Sequence, residues 1–345
     1  MCVVKKFLLT AVALFAAILP AQQAGPTGSG AGGSARYATD AYPGFENAKD
    51  AGLPTRKEPK WFAFVNGPSF ESAPEELSYC RSLEGEGRWA KAAKHYDALV
   101  REWPASDEAP VAQKRLAEIL LENLDDAEES FAEYKYLVDF YSFRCDYGEA
   151  VDRMYEIAGI LRRRGKTVVF FRFKNTEDVR RAYESCVLRA PGASWVPAAM
   201  LVIGTLREDE GRYSEAVKVY ENLRNLHGET PEAKEAVVRE ASARMRLLRE
   251  YGYNRARCLE TIDFLKTASG LVNEKDVSVI ECHLAEARVM LEDEAYQAVR
   301  FYDSRMRTRR SAISAYERFL SEYPNSVRAE EIRARIEELK SEEER

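Results

Sequence analysis

From Ser72 onward, apolar residues recur at steps of three and four, the period at which side chains line one stripe of a helix. Ala92, Tyr96 and Leu99 form one such set, and Ala216, Tyr220 and Leu223 another. Cys258, Ile262 and Leu265 repeat the spacing and read as small buried apolar residues. Short polar turns divide the pattern into helices of about 12–20 residues. The first start signal is Ser72-Ala73-Pro74-Glu75, with an N-cap hydroxyl, a proline inside the first turn and a glutamate placed to close a capping box.

The helices share a register. Ala92-x₃-Tyr96-x₂-Leu99-x₃-Trp103-Pro104 recurs as Ser130/Tyr134/Leu137/Tyr141, as Val179/Tyr183/Cys186/Ala190-Pro191, as Ala216/Tyr220/Leu223/His227-Gly228 and as Ala312/Tyr316/Phe319/Tyr323-Pro324. Successive offsets are 38, 49, 37 and 96 residues. Each position has a physical task. The alanine lets two antiparallel helices approach, and the aromatic four residues later fills the same face. Pro104 and Pro324 follow helix ends, where a missing N–H costs nothing. Gly87 and Gly211 mark the turns between paired helices, being free to take positive φ. Seven residues before them lie the small residues Cys80 and Gly204, where the first helix must press on the second.

Glycine, alanine, aromatic and proline in this common register are similar to the tetratricopeptide repeat. Residues 76–108 and 200–230 match it well, 296–326 less closely, and two other units only in outline. The fold expected is an all-α solenoid of about five helix-turn-helix repeats over residues 72–345.

The start of the chain has another character. Lys5 and Lys6 precede an apolar run from Phe7 to Leu19, with small residues around Ala21 and Ala24, so residues 1–24 read as a secretory signal peptide. The run is shorter than the ~20 residues that cross a bilayer. Residues 25–71 read as a glycine-rich tether followed by a strap containing Trp61, Phe62, Phe64 and Phe70. Cys2 lies before the apolar run and no cysteine follows it directly, so the exported form is expected to carry no lipid anchor. Five cysteines then remain, Cys80, Cys145, Cys186, Cys258 and Cys282, at no metal-ligand spacing and in odd number.

Composition narrows the function. Apolar residues make up 46% of the 345 and charged residues 31%, which excludes a disordered chain. Fifty-seven acids against 51 bases, interspersed, give a net charge of −6 and no electrostatic reason to bind nucleic acid. No nucleophile–base set is legible: His95 and His227 lie in or at the end of repeat helices, and Cys282 and His283 are adjacent, so they do not face each other on a helix. Neither a cofactor nor a metal is expected. Asp125-Asp126 with Glu128-Glu129 lacks the glycine and spaced oxygens of a calcium loop and reads as a solvated helix start.

Two basic clusters stand out. Arg162, Arg163 and Arg164, with Lys166, Arg172 and Lys174, surround the apolar Val168-Val169-Phe170-Phe171. Arg305, Arg307, Arg309 and Arg310 sit at the last inter-helix turn. Each serves either as solubilising charge or as a dock for an acidic partner, where charge sets encounter rate and register. The first also suits phosphate or lipid headgroups.

An exported array closed by Trp103-Pro104 and by Glu322-Tyr323-Pro324-Asn325-Ser326, with an insertion between the helices of its middle repeat at Arg162–Glu177, resembles the outer-membrane assembly lipoprotein family (BamD/ComL-like) over residues 72–340. Residues 182–204 are similar to that family's third-repeat helix running into its fourth. The missing lipid-attachment cysteine is the departure. The resemblance implies a non-enzymatic periplasmic scaffold at the inner face of the outer membrane, in peripheral contact with it. Its implied partners are a β-barrel-inserting subunit, met by C-terminal repeats near Arg305, Arg307, Arg309 and Arg310, and unfolded client chains. The alternative is a periplasmic adaptor for cell-wall or polysaccharide-export machinery.

Overall fold

The structure is a computed structural model that describes residues 67–165, 176–250, 255–305 and 309–343. Within them lie thirteen helices and no strand. The signal-peptide and tether readings, Trp61, Phe62 and Phe64 therefore lie outside the described residues. The helices pair in sequence as α1 (Ala73–Gly85) with α2 (Trp89–Glu102), α3 (Glu108–Glu122) with α4 (Ala127–Phe140), and α5 (Tyr147–Gly165) with α6 (Thr176–Arg189). Next come α7 (Val196–Asp209) with α8 (Tyr213–His227), α9 (Pro231–Glu250) with α10 (Arg255–Ala268), and α11 (Glu274–Arg305) with α12 (Arg309–Glu322), and α13 (Ala329–Glu343) closes the array. Each helix packs on its sequence neighbours, and α1 on α3, α7 on α9 and α9 on α11 also meet. Contacts that reach no further than the next repeat define a solenoid.

Six pairs are thus present where the shared register marked five. The additional pair, α9 with α10, lies inside the 96-residue offset. Cys258, Ile262 and Leu265 occupy its alanine, aromatic and leucine positions and are buried. Cysteine and isoleucine fill the same volumes without the alanine and tyrosine that made the other units visible.

The register positions behave as their chemistry requires. Ala92, Tyr96, Ala216, Tyr220, Ala312 and Tyr316 are all buried. A Cβ built on Gly204 would lie 2.6 Å from Tyr220 Cζ and closer still to Cε1, so α7 and α8 cross where glycine alone fits. Gly87 and Gly211 turn the chain at φ 71° and 72°. Asp125 takes the same place in the second repeat at φ 56°, a conformation aspartate tolerates better than most residues.

One local expectation is corrected at the first helix. Ser72 is the N-cap of α1, but its side chain makes no capping bond, and the capping box with Glu75 does not form. The neighbouring Glu76 acts instead. It is fully buried, its carboxylate accepts the backbone N–H groups of Ser69 (2.8 Å) and Phe70 (3.0 Å), and its other oxygen meets His95 Nδ1 at 2.7 Å. Phe70 packs on Tyr79, so the last residues of the strap are seated on the first repeat.

Candidate functional site: a groove along the first helices of each pair

Because α1 also touches α3, and α9 touches both α7 and α11, these odd-numbered helices lie side by side along one side of the array. A concavity of about 360 Å³ opens there between α1, α3 and the α4–α5 turn. Leu77, Pro110 and Val111 give it an apolar surface, Val111 being 48% exposed. Arg81, Lys114 and Arg144 add positive charge to its lining. Lys114 holds Glu149 at 2.7 Å, and Arg144 holds Asp107 at 2.8 Å and the Ser106 carbonyl at 2.6 Å. Arg81 forms no ion pair among the described residues. Glu84, Glu118 and Asp146 line it as well, and apolar surface beside charges of both signs suits an extended polypeptide carrying apolar and charged side chains.

Beside these residues lies a recurring triad. Tyr96 of α2 donates to Glu84 of α1, and Arg115 of α3 binds the same carboxylate at 2.6 Å. Tyr220 donates to Glu208 at 2.7 Å, with Arg239 of α9 at 3.8 Å. Tyr316 donates to Asp303 at 3.1 Å, and Arg335 of α13 holds it at 3.0 Å. The acid precedes its tyrosine by 12 or 13 residues and its arginine by 31 or 32, so each triad ties one pair to the next. In the second pair Glu122 and Arg153 keep these offsets, but Arg153 turns to Glu156 at 2.8 Å.

The triads differ in charge state. Burial opposes ionisation of Glu84, but hydrogen bonds from Arg115 and Tyr96 outweigh it and hold its carboxyl below the usual range. The Arg335 hydrogen bonds, joined by that of Tyr316, likewise lower Asp303 against the effect of burial. Glu208 is raised, because burial dominates where the arginine is too distant to compensate. Burial and the neighbouring acid together push the Tyr316 phenol up to about 12.

Between α6 and α7 the core itself is charged. Arg180, Glu184 and Arg207 are almost completely inaccessible (0%, 0% and 1%). Arg180 binds Glu184 at 2.9 Å and Glu210 at 3.2 Å, while Arg207 reaches Glu184 at 3.1 Å and Glu215 at 2.8 Å. Removing any one member leaves a buried charge short of its counterion.

The predicted basic clusters are dispersed. Arg164 binds the carbonyl (2.9 Å) and carboxylate of Asp125, fixing the positive-φ turn of the preceding repeat. Arg162 lies close enough to Tyr183 for its charge to act on that phenol, and Arg163 is exposed. Lys166, Arg172, Lys174 and the apolar stretch between them lie outside the described residues, as does Arg307. Arg305 ends α11. Arg309 binds the Glu342 carbonyl at 2.9 Å and its carboxylate at 3.3 Å, a use the sequence did not reveal because the acid lies 33 residues on. Arg310 instead faces a concavity shared with Tyr302 and Arg318. Asp126 caps α4, accepting from the Glu129 N–H at 3.1 Å. Among the described residues, no three His, Cys, Asp or Glu side chains converge on a metal position. All five described cysteines are free thiols.

Stacked antiparallel helix pairs with this register make the protein an all-α solenoid of tetratricopeptide-like repeats. Residues 284–326, the last two thirds of α11 through α12 and into the turn that follows it, match the tetratricopeptide repeat family. Two solved structures are similar to the chain at low identity. One is a tetratricopeptide repeat protein from Parabacteroides merdae ATCC 43184, 12% identical over 76% of this chain and 98% of its own, with a TM-score of 0.29. The other is the C-terminal part of a TPR repeat-containing protein from Cytophaga hutchinsonii, 13% identical over 86% and 98%, with a TM-score of 0.30. No curated protein matches the chain.

Proposed function

We propose that this protein is a non-enzymatic scaffold that holds partner polypeptides along the odd-helix side of its repeats, acting in the periplasm as a BamD-like component of β-barrel protein assembly at the outer membrane. The observation that carries the scaffold reading is the groove between α1, α3 and the α4–α5 turn, where exposed Val111 lies beside Arg81, Lys114 and Arg144. Solenoids of this kind present such extended surfaces to other proteins. The periplasmic placement rests on the Lys5-Lys6 and Phe7–Leu19 pattern, and the assembly role on the resemblance of residues 72–340.

A photo-crosslinking side chain placed at Val111, against one at Val327 on the α12–α13 turn (93% exposed), tests both levels in intact cells. Attachment of unfolded β-barrel client chains through position 111 alone is the expected result. Attachment of wall-synthesis or polysaccharide-export proteins through position 111 would replace the assembly role with the adaptor role. Equal attachment at both positions would remove the groove from the account.

A further inference from the structure

A second surface lies on the last repeat, away from the odd-helix groove. Arg310, Ser314 and Arg318 stand four residues apart on one stripe of α12, and with Tyr302 of α11 they line a concavity of about 510 Å³ that contains no carboxylate. Helical rise sets the two arginines about 12 Å apart along the axis. Neither forms an ion pair among the described residues. The acids nearest in sequence are engaged elsewhere: Asp303 is held by Arg335 at 3.0 Å, Glu322, one turn beyond Arg318, binds Arg255 at 2.9 Å, and Glu317 lies 3.7 Å from Lys340. In a chain with more acids than bases, two open guanidiniums on one stripe stand apart from the ion-paired arginines around them. Beside them Phe301 and Tyr302 are 57% and 39% exposed and pack edge to face.

The geometry points to a docking surface for an extended acidic segment of a partner protein. Residues i and i+4 of an extended chain lie on one face about 13 Å apart, which matches the arginine spacing. Two carboxylates in an acidic-x₃-acidic pattern therefore meet Arg310 and Arg318. The residue midway between them lies over the Ser314 hydroxyl, and a flanking apolar side chain rests on Phe301 and Tyr302. Charge complementarity identifies the partner, because the site offers cations and hydroxyls with no acid of its own. The bases line a hollow rather than a protrusion, which suits a narrow polypeptide better than a flat lipid surface.

Fluorescence polarisation with the full chain tests this, using a labelled nine-residue peptide with glutamates at its third and seventh positions and phenylalanine at its ninth, on the same face. Replacing both glutamates by glutamine, or exchanging Arg310→Glu with Arg318→Glu, is expected to weaken binding about ten-fold or more, and high salt to weaken it as well. The milder pair Arg310→Gln with Arg318→Gln gives a smaller loss in the same direction. Phe301→Ala weakens binding without changing its salt dependence. Unchanged melting of these exposed variants shows that the fold is intact. Failure of the parent to bind the glutamate peptide, or equal binding by the double variants, overturns the proposal. So does arginine-dependent binding to phosphatidylglycerol vesicles in preference to the peptide, which would make the surface a lipid site. Crosslinking through Val111 is unaffected by these variants, so the two surfaces fail or succeed separately.

Discussion

The two parts of the array bury their apolar side chains differently. Helices α1–α8 and the start of α9 share one continuous core from Leu77 to Ala236. Beyond it the core divides, into one cluster from Val237 to Ala287 and another from Tyr296 to Leu339. The dividing element is α11. Its first half gives Ile280 and Ala287 to one cluster, and its second half gives Tyr296 and Val299 to the other. Between them lies Glu292-Asp293-Glu294, whose side chains go to Arg328 and Arg255 rather than to either core. In a linear array stability is the sum of each repeat and its neighbour contacts, so a polar seam lowers the coupling across it. The N-terminal part is thus expected to unfold as one unit, and the C-terminal part separately and at lower cost.

The largest effect belongs to the buried charges. Glu184→Ala takes from Arg180 and Arg207, inside the N-terminal core, the fully buried carboxylate that both bind, and should cost about 3–5 kcal/mol. Denaturant melts followed by Trp89, Trp103 and Trp195, all within that core's reach, should shift by this amount. The cluster from Tyr296 to Leu339 should keep its own transition. If both parts shift together, the array is one cooperative unit.

Overpacking comes next. Gly204→Leu forces α7 from α8 and should cost about 1–3 kcal/mol in the N-terminal part. Ala312→Leu should cost a similar amount, confined to the cluster that contains Ala312. Both variants melting like the parent would mean that the helices do not cross at these residues.

The triads sharpen the comparison with pH. Glu84 and Asp303 have lowered values, so their contribution is present above the ordinary carboxylate range and is lost as pH falls through the lowered values. Glu208 is raised, so its contribution is present at lower pH and is lost as pH rises through the raised value. At neutral pH, Glu84→Gln should therefore destabilise by about 1–2 kcal/mol, whereas Glu208→Gln should be neutral or stabilising. Melting curves between neutral and acid pH check the sign. Equal losses for the two would show that the Arg115 and Arg239 distances do not matter.

What was legible beforehand follows from the chemistry of each position. Gly87, Gly211 and Gly204 announced the turns and the crossing because no side chain can replace them there. Asp125 hid a turn of the same kind, since its positive φ depends on Arg164, 39 residues on. The fifth helix pair was obscured because Cys258 and Ile262 pack like alanine and tyrosine without looking like them. The triads escaped notice because their members lie on three helices, and helical periodicity relates only residues on one. For the same reason Arg164 and Arg309 read as free charge, although each is committed to a distant partner. A capping box is a local pattern and points to Glu75, whereas Glu76 receives a chain entering from outside the helix.

Hydrogen exchange of the full chain in a denaturant series tests the division at α9 most directly. Amides of α1–α8 should merge into one opening reaction with the highest free energy, while those of α10 with the first half of α11 and those of the second half of α11 with α12 and α13 open earlier, in two groups separated at residues 292–294. A single opening free energy shared from α1 to α13 would contradict it.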